Sequence, residues 1–182
     1  MKFIDYYLQK QRYKRVLPHI KDGTSILDIG CFDDSFYQKA NKDIEYTGID
    51  PSITPSQLDK CKFVAGSFPN DLPAEGRYDI IVCLAVFEHI SEDEKHAFAQ
   101  KCHEILNDRG RIYLSVPSPR VDDILHLLLK LKLADGMDHE AHHHFDVSKT
   151  ESYFTETGLS LLQHKKFQFG LNNLFVFEKV CN

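Results

Sequence analysis

Short apolar runs alternate with helix-patterned stretches through most of this chain, and that alternation limits its fold more than any other feature. The first run, Ser25–Ile29, ends at Gly30 and is too short for a helix, so it reads as a buried strand. Further strands are expected over 44–49, 62–65, Tyr78–Leu84 and 111–116. Residues 91–106 read as a helix, with Ser91 and Glu94 as an S-x-x-E start. Phe98, Cys102, Ile105 and Leu106 then recur on one face of it. Other helices are expected over about the first 15 residues, with Phe3, Tyr7 and Leu8 on one side, and from Asp33–Ser35 to about Ala40. Two more are expected over 121–133 and 148–157, the latter with its own S-x-x-E start and Gly158 just beyond it. The last two strands, about 159–169 and 173–180, have no helix between them and should pair antiparallel. Together these elements imply an α/β fold, a doubly wound and mostly parallel sheet with helices on both faces. No repeat or linker divides the chain, so one domain over 1–182 is expected, with an N-terminal helix at about 1–20.

Composition excludes several classes. Hydrophobic residues make up 42% and charged residues 27%, an ordinary globular balance, and 182 residues suffice for a core without staples. The net charge of −5 argues against a surface that tracks nucleic-acid phosphates. No apolar run reaches membrane-span length, and the N-terminus is too polar for a signal peptide. The five cysteines form no CxxC pair and read as reduced, mostly buried thiols of a cytoplasmic protein.

In a doubly wound sheet, ligands sit at the carboxyl ends of strands near the point where strand order reverses. The first strand and its turn read Ser25-Ile26-Leu27-Asp28-Ile29-Gly30-Cys31-Phe32-Asp33-Asp34. The second ends in Ile49-Asp50-Pro51, 20 residues after Gly30. Phe63-Val64-Ala65-Gly66-Ser67-Phe68 follows, then Cys83-Leu84-Ala85-Val86-Phe87-Glu88-His89 at the end of the fourth strand. In order and spacing these segments resemble the motifs of class I S-adenosylmethionine-dependent methyltransferases of the small-molecule type, from about Ile26 to Lys179. The family's glycine-rich turn usually has three glycines; here Phe32 and Asp34 stand at the second and third.

The resemblance implies a seven-stranded sheet of order 3-2-1-4-5-7-6 with the last strand antiparallel. It implies S-adenosylmethionine as cofactor and S-adenosylhomocysteine as product. Asp28, Gly30, Cys31 and Phe32 would border the donor's methionine part, with Asp28 holding the turn or facing the amino group. Asp50 would accept hydrogen bonds from both ribose hydroxyls, since a carboxylate offers two acceptor oxygens to a vicinal diol. Pro51 would pack on the adenine, with Ser67 and Phe68 near its edge and Cys83 and Leu84 beside the sulfur. The acceptor would be a small molecule, an oxygen nucleophile in our reading, covered by a segment at about 118–147. No nucleic-acid or membrane partner is implied, and the protein would be a monomer or homodimer.

Asp138-His139-Glu140-Ala141-His142-His143-His144 packs four histidines and two acids into seven residues. Neighbours in an extended chain point to opposite faces, so all four cannot easily meet one ion, and no metal site is expected. His142 and His144 share a face if the stretch is extended. They join His89 as candidate bases, because imidazole titrates near neutrality. Two rival readings are a methyltransferase-like fold that acts only as an interaction module and a nicotinamide-dependent oxidoreductase. The second is disfavoured because the first turn lacks GxGxxG.

Overall fold

The computed structural model describes residues 3–73, 76–118 and 145–181. Helix α1 (Phe3–Val16) and a 3-10 turn (Leu17–His19) lead into β1 (Ser25–Ile29), α2 (Ser35–Ala40) and β2 (Glu45–Asp50). Next come β3 (Ser56–Leu58), β4 (Cys61–Ala65), β5 (Tyr78–Leu84), a 3-10 turn (Phe87–His89), α3 (Lys95–Ile105) and β6 (Leu106–Pro117). A 3-10 turn (Val147–Lys149), α4 (Thr150–Thr155), β7 (Leu159–Phe167) and β8 (Asn172–Lys179) complete the described elements. The strands form one sheet of order β3-β4-β2-β1-β5-β6-β8-β7. Its central strands are parallel, and β8 runs antiparallel to both neighbours. Without β3 this is the expected 3-2-1-4-5-7-6 order. The eighth strand, β3, is a three-residue edge strand, exposed throughout, and so has no buried alternation to betray it.

Side chains of β1 alternate between two cores. Leu27 and Ile29 join Phe87, Phe98, Cys102, Phe154 and Phe177 under α3 and α4. Ile26 joins Tyr13, Val16, Phe36, Tyr46, Tyr113 and Leu174 under α1 and α2. The buried side of α1 is therefore Tyr13 and Val16; Tyr7, expected there, is 49% exposed.

Three local expectations shift. Helix α3 begins at Lys95, not Ser91, because the Ser91 hydroxyl donates to the Glu94 carboxylate and the chain makes a separate turn there. The start of the 147–155 segment is capped by Asp146, which accepts from the backbone N–H of Ser148 at 3.0 Å, so Asp146 and not Ser148 ends the preceding chain. The four residues left between the expected 91–106 helix and 111–116 strand lie within β6 as a bulge: pairing with β5 jumps from Leu106 to Arg111, and Arg109 has φ +61°.

Candidate functional site

The registers of β1, β2, β4 and β5 bring four loop starts side by side at the carboxyl edge of the sheet. Ile29 pairs with Ile49 and Cys83, and Asp50 pairs with Ala65. Strand order reverses between β1 and β5, where a crevice for ligand is expected.

Gly30 opens the first loop with φ +74°, and its N–H donates to Ile49 O at 2.8 Å. A Cβ at Gly30 would lie 2.2 Å from Val86 Cγ2, so this glycine lets the β1 and β5 loops interlock. Gly30→Ala combines a left-handed backbone penalty with that collision and should lower stability by about 2–4 kcal/mol. In thermal unfolding, Gly30→Ala/Val86→Ala should recover part of the loss, since only the collision is relieved. No recovery would place the whole cost in the backbone.

Phe32 follows with φ +58° and is 60% exposed, so its ring leaves the core. Its N–H donates to Asp50 Oδ2 at 3.1 Å, which ties the β1 loop to the end of β2. Asp50 Oδ1 accepts from the N–H and hydroxyl of Ser52 at 2.8 and 2.5 Å. The carboxylate is thus fixed in orientation, half-buried, with acceptor capacity left on Oδ2. Asp34 is exposed and accepts from Gln38 Nε2 at 3.4 Å, which turns its charge along α2.

Asp28 lies 5% exposed on the α1 side and accepts a 2.7 Å hydrogen bond from the Tyr46 hydroxyl. Burial pushes its carboxyl up to about 7, the Tyr46 bond works against that, and the Asp33 and Asp50 charges add to it. Cys31 and Cys83 turn buried thiols inward, and burial raises both above the ordinary thiol range. The Cys31 sulfur occupies the space a side chain at Gly48 would need. Pro51 and Ser67 are exposed, and Leu84 is half-buried. Ser67 N–H donates to Asp71 Oδ2 at 2.8 Å, which closes the β4 loop. The Phe68 ring packs edge-on against Phe98 at 4.8 Å, so only its main chain faces the loop. His89 is exposed at the end of the turn after β5. His142 and His144, with the 121–133 helix, lie outside the described residues.

Sequence reasoning missed three residues here. Ala85 has φ +61°, and its N–H donates to Ser115 O at 2.9 Å. A non-glycine residue held at positive φ there is strained backbone at the ligand end of the sheet. Asp71 is the second; no pattern signals a carboxylate that caps a loop four residues upstream. Glu88 is the third: it is 7% exposed, and burial pushes its carboxyl up to about 7 against the influence of Arg12 and Lys95. Nearby, Lys95 is 4% exposed, pairs with Glu92 at 3.0 Å, and sits 4.9 Å from the Phe145 ring centre. That contact pins Phe145, the residue directly after the histidine cluster, beside the turn that carries Glu88 and His89.

Residues 2–164 match the family described as "Methyltransferase domain". No curated protein matches the chain by sequence. Solved structures match its fold. A 1,6-didemethyltoxoflavin-N1-methyltransferase of Burkholderia thailandensis, bound to 1,6-didemethyltoxoflavin and S-adenosylhomocysteine, superposes with TM-score 0.70 at 15% identity, over 96% of this chain and 79% of that one. The N-methyltransferase NodS of Bradyrhizobium japonicum gives TM-score 0.68 at 14% identity, over 97% and 99%. The cyclopropane synthase MmaA2 of Mycobacterium tuberculosis gives 0.69 at 16% identity, over 94% and 84%.

Proposed function

The chain belongs to the methyltransferase-domain family, and from that premise we propose that it transfers the methyl group of S-adenosylmethionine to an oxygen of a small-molecule acceptor. The observation that carries the reading is the Asp50 carboxylate, held at the end of β2 by Phe32 and Ser52 and open to a ribose diol on Oδ2. The residues present fit the donor. Phe32 and Asp34, which replace the usual glycines, turn outward and along α2. The buried Asp28 suits the positive charge of a methionine ammonium. Pro51 and the loop at Ser67–Phe68 would flank the adenine, and Gly30, Cys31, Cys83 and Leu84 would offer main chain around the sulfur. The relative that holds S-adenosylhomocysteine supports this choice of donor.

S-adenosylmethionine supplies a methyl group already activated by positive sulfur. The protein's own part is to align the acceptor behind that methyl, to exclude water and to receive a proton. For a hydroxyl acceptor the proton passes to a base, and His89, His142 and His144 are the proposed carriers. A cytoplasmic enzyme is proposed because four of its five cysteines are buried free thiols. Among the described residues, no helix is long and apolar enough to cross a membrane.

Alanine at each of the three histidines in turn should lower turnover about 100-fold or more at the true base. S-adenosylhomocysteine binding should stay near wild type in all three. Unchanged turnover across the set would remove histidine from the chemistry.

A further inference from the structure

Among the described residues, three buried polar atoms without hydrogen-bond partners belong to neighbouring elements at the carboxyl end of the sheet. They are Glu88 Oε2, Ser115 Oγ and Asn172 Oδ1. Their residues are 7%, 0% and 2% exposed. Strand register brings them together. Ser115 pairs with Leu84 at the end of β5, and the next residue, Ala85, donates to Ser115 O. Glu88 follows three residues later in the turn. Asn172 pairs with Pro117, one same-face step along β6 from Ser115. Alternation puts Ser115 and Asn172 on the face that carries Tyr113 and Leu174, beneath α1. Helix α1 reaches these strand ends as well: Gln168 Nε2, in the β7–β8 connection, donates to Leu8 O at 3.2 Å.

Buried polar groups in folded proteins are nearly always paired, so three unpaired ones at the ligand end of neighbouring strands need a reason. Asn172 already spends an amide N–H on Gln168, and its carbonyl oxygen is left without a partner. Two of the three atoms, Glu88 Oε2 and Asn172 Oδ1, are acceptors, and the Ser115 hydroxyl serves as either donor or acceptor. The complementary molecule therefore brings at least two hydrogen-bond donors. Arg12 of α1 and Lys95 of α3 already place positive charge on the Glu88 carboxyl. A cationic acceptor gains little there, whereas a neutral hydroxyl bonds the carboxyl without repulsion and gains charge assistance above about pH 7, where Glu88 is ionised.

Resting on the methyltransferase reading, we propose that Glu88, Ser115 and Asn172 form the docking site of the methyl acceptor, and that the acceptor is a neutral small molecule with neighbouring hydroxyl groups. One hydroxyl faces Glu88 and another faces Asn172, with Ser115 between them.

The test uses the whole protein with S-adenosylhomocysteine. The hydroxyl probe is catechol, a rigid pair of adjacent hydroxyls; its masked partner is 1,2-dimethoxybenzene. Saturation-transfer NMR should show catechol binding to the wild type and no signal from the dimethoxy compound. Ser115→Ala and Glu88→Leu should each weaken catechol binding tenfold or more and leave S-adenosylhomocysteine affinity within about twofold. Both variants should also melt a few degrees higher than wild type when ligand-free, because each removes an unsatisfied buried group. A structural role predicts the opposite shift. The proposal is overturned if both variants melt lower, if catechol binds them as it binds wild type, or if the two probes bind alike. A wild type that binds S-adenosylhomocysteine but not catechol also overturns it. A wild type that does not bind S-adenosylhomocysteine strikes instead at the methyltransferase reading beneath it.

Discussion

Asp50→Ala is expected to weaken S-adenosylhomocysteine binding by a factor of about 10 to 10². Ser52 fills Oδ1 and Phe32 takes one site on Oδ2, so the ribose has one acceptor site left and its loss removes one charge-assisted hydrogen bond, worth about 1.5–3 kcal/mol. At about 1.4 kcal/mol per decade that bond spans the range. A second effect works in the same direction. The Phe32 N–H loses its acceptor, and the β1 loop loses its tie to β2. Asp50→Asn should fall between, since it keeps one acceptor oxygen and most of the shape. Asp50 is half-buried at a strand end, outside both cores, so the fold should survive either change. Titration calorimetry reads the affinity and circular dichroism the fold. A loss below threefold in a folded Asp50→Ala protein would take Asp50 out of the donor site.

The second large effect concerns pH. Asp28 is buried, and its carboxyl is raised from 3.8 to about 7 in the folded protein. Between those values the native state holds a proton that the unfolded chain has released. Stability therefore falls as pH rises from about 4 to about 7 and stays lower above that, by up to about 4 kcal/mol from this group alone. Asp28→Asn removes the charge and keeps an acceptor for Tyr46. It should raise stability at pH 5 and raise it further at pH 8, with the difference growing through the interval. Donor binding should show the opposite trend. The donor's ammonium favours the ionised carboxylate, so wild-type affinity should tighten about tenfold from pH 5.5 to 8.5, and Asp28→Asn should flatten that slope. Chemical denaturation and calorimetry at the two pH values measure both. An equal effect of Asp28→Asn on stability at pH 5 and pH 8 would mean that Asp28 does not titrate in this range.

Much of the architecture was readable from the residues because burial on both faces leaves a direct trace. Ser25–Ile29 and Tyr78–Leu84 are mostly apolar, as buried central parallel strands tend to be, and each was bounded correctly. Asp50 was visible by its place at the next strand's end. What escaped depends on contacts between residues distant in sequence. The Tyr46–Asp28 bond crosses two strands, and nothing in either segment shows that the tyrosine will face the carboxylate. Gly30 reads as a ligand-side glycine, yet the space at its Cα is taken by Val86, 56 residues away. Glu88 looks like an ordinary polar residue before a helix, and only the packing of the turn after β5 buries it. The helix starts moved for a similar reason. Ser91 and Ser148 both fit a capping pattern, but in each case a neighbouring carboxylate engages the serine's own hydroxyl.

Donor binding is the claim on which every residue role in the site depends. Titration calorimetry of the wild-type protein with S-adenosylhomocysteine, alongside S-adenosylmethionine and NAD, tests it most directly. The account predicts one site with a micromolar dissociation constant for S-adenosylhomocysteine, comparable binding of S-adenosylmethionine and no heat from NAD. Silence with both sulfur compounds would contradict it and leave a methyltransferase fold that serves as an interaction module, while binding of NAD alone would point to hydride transfer instead.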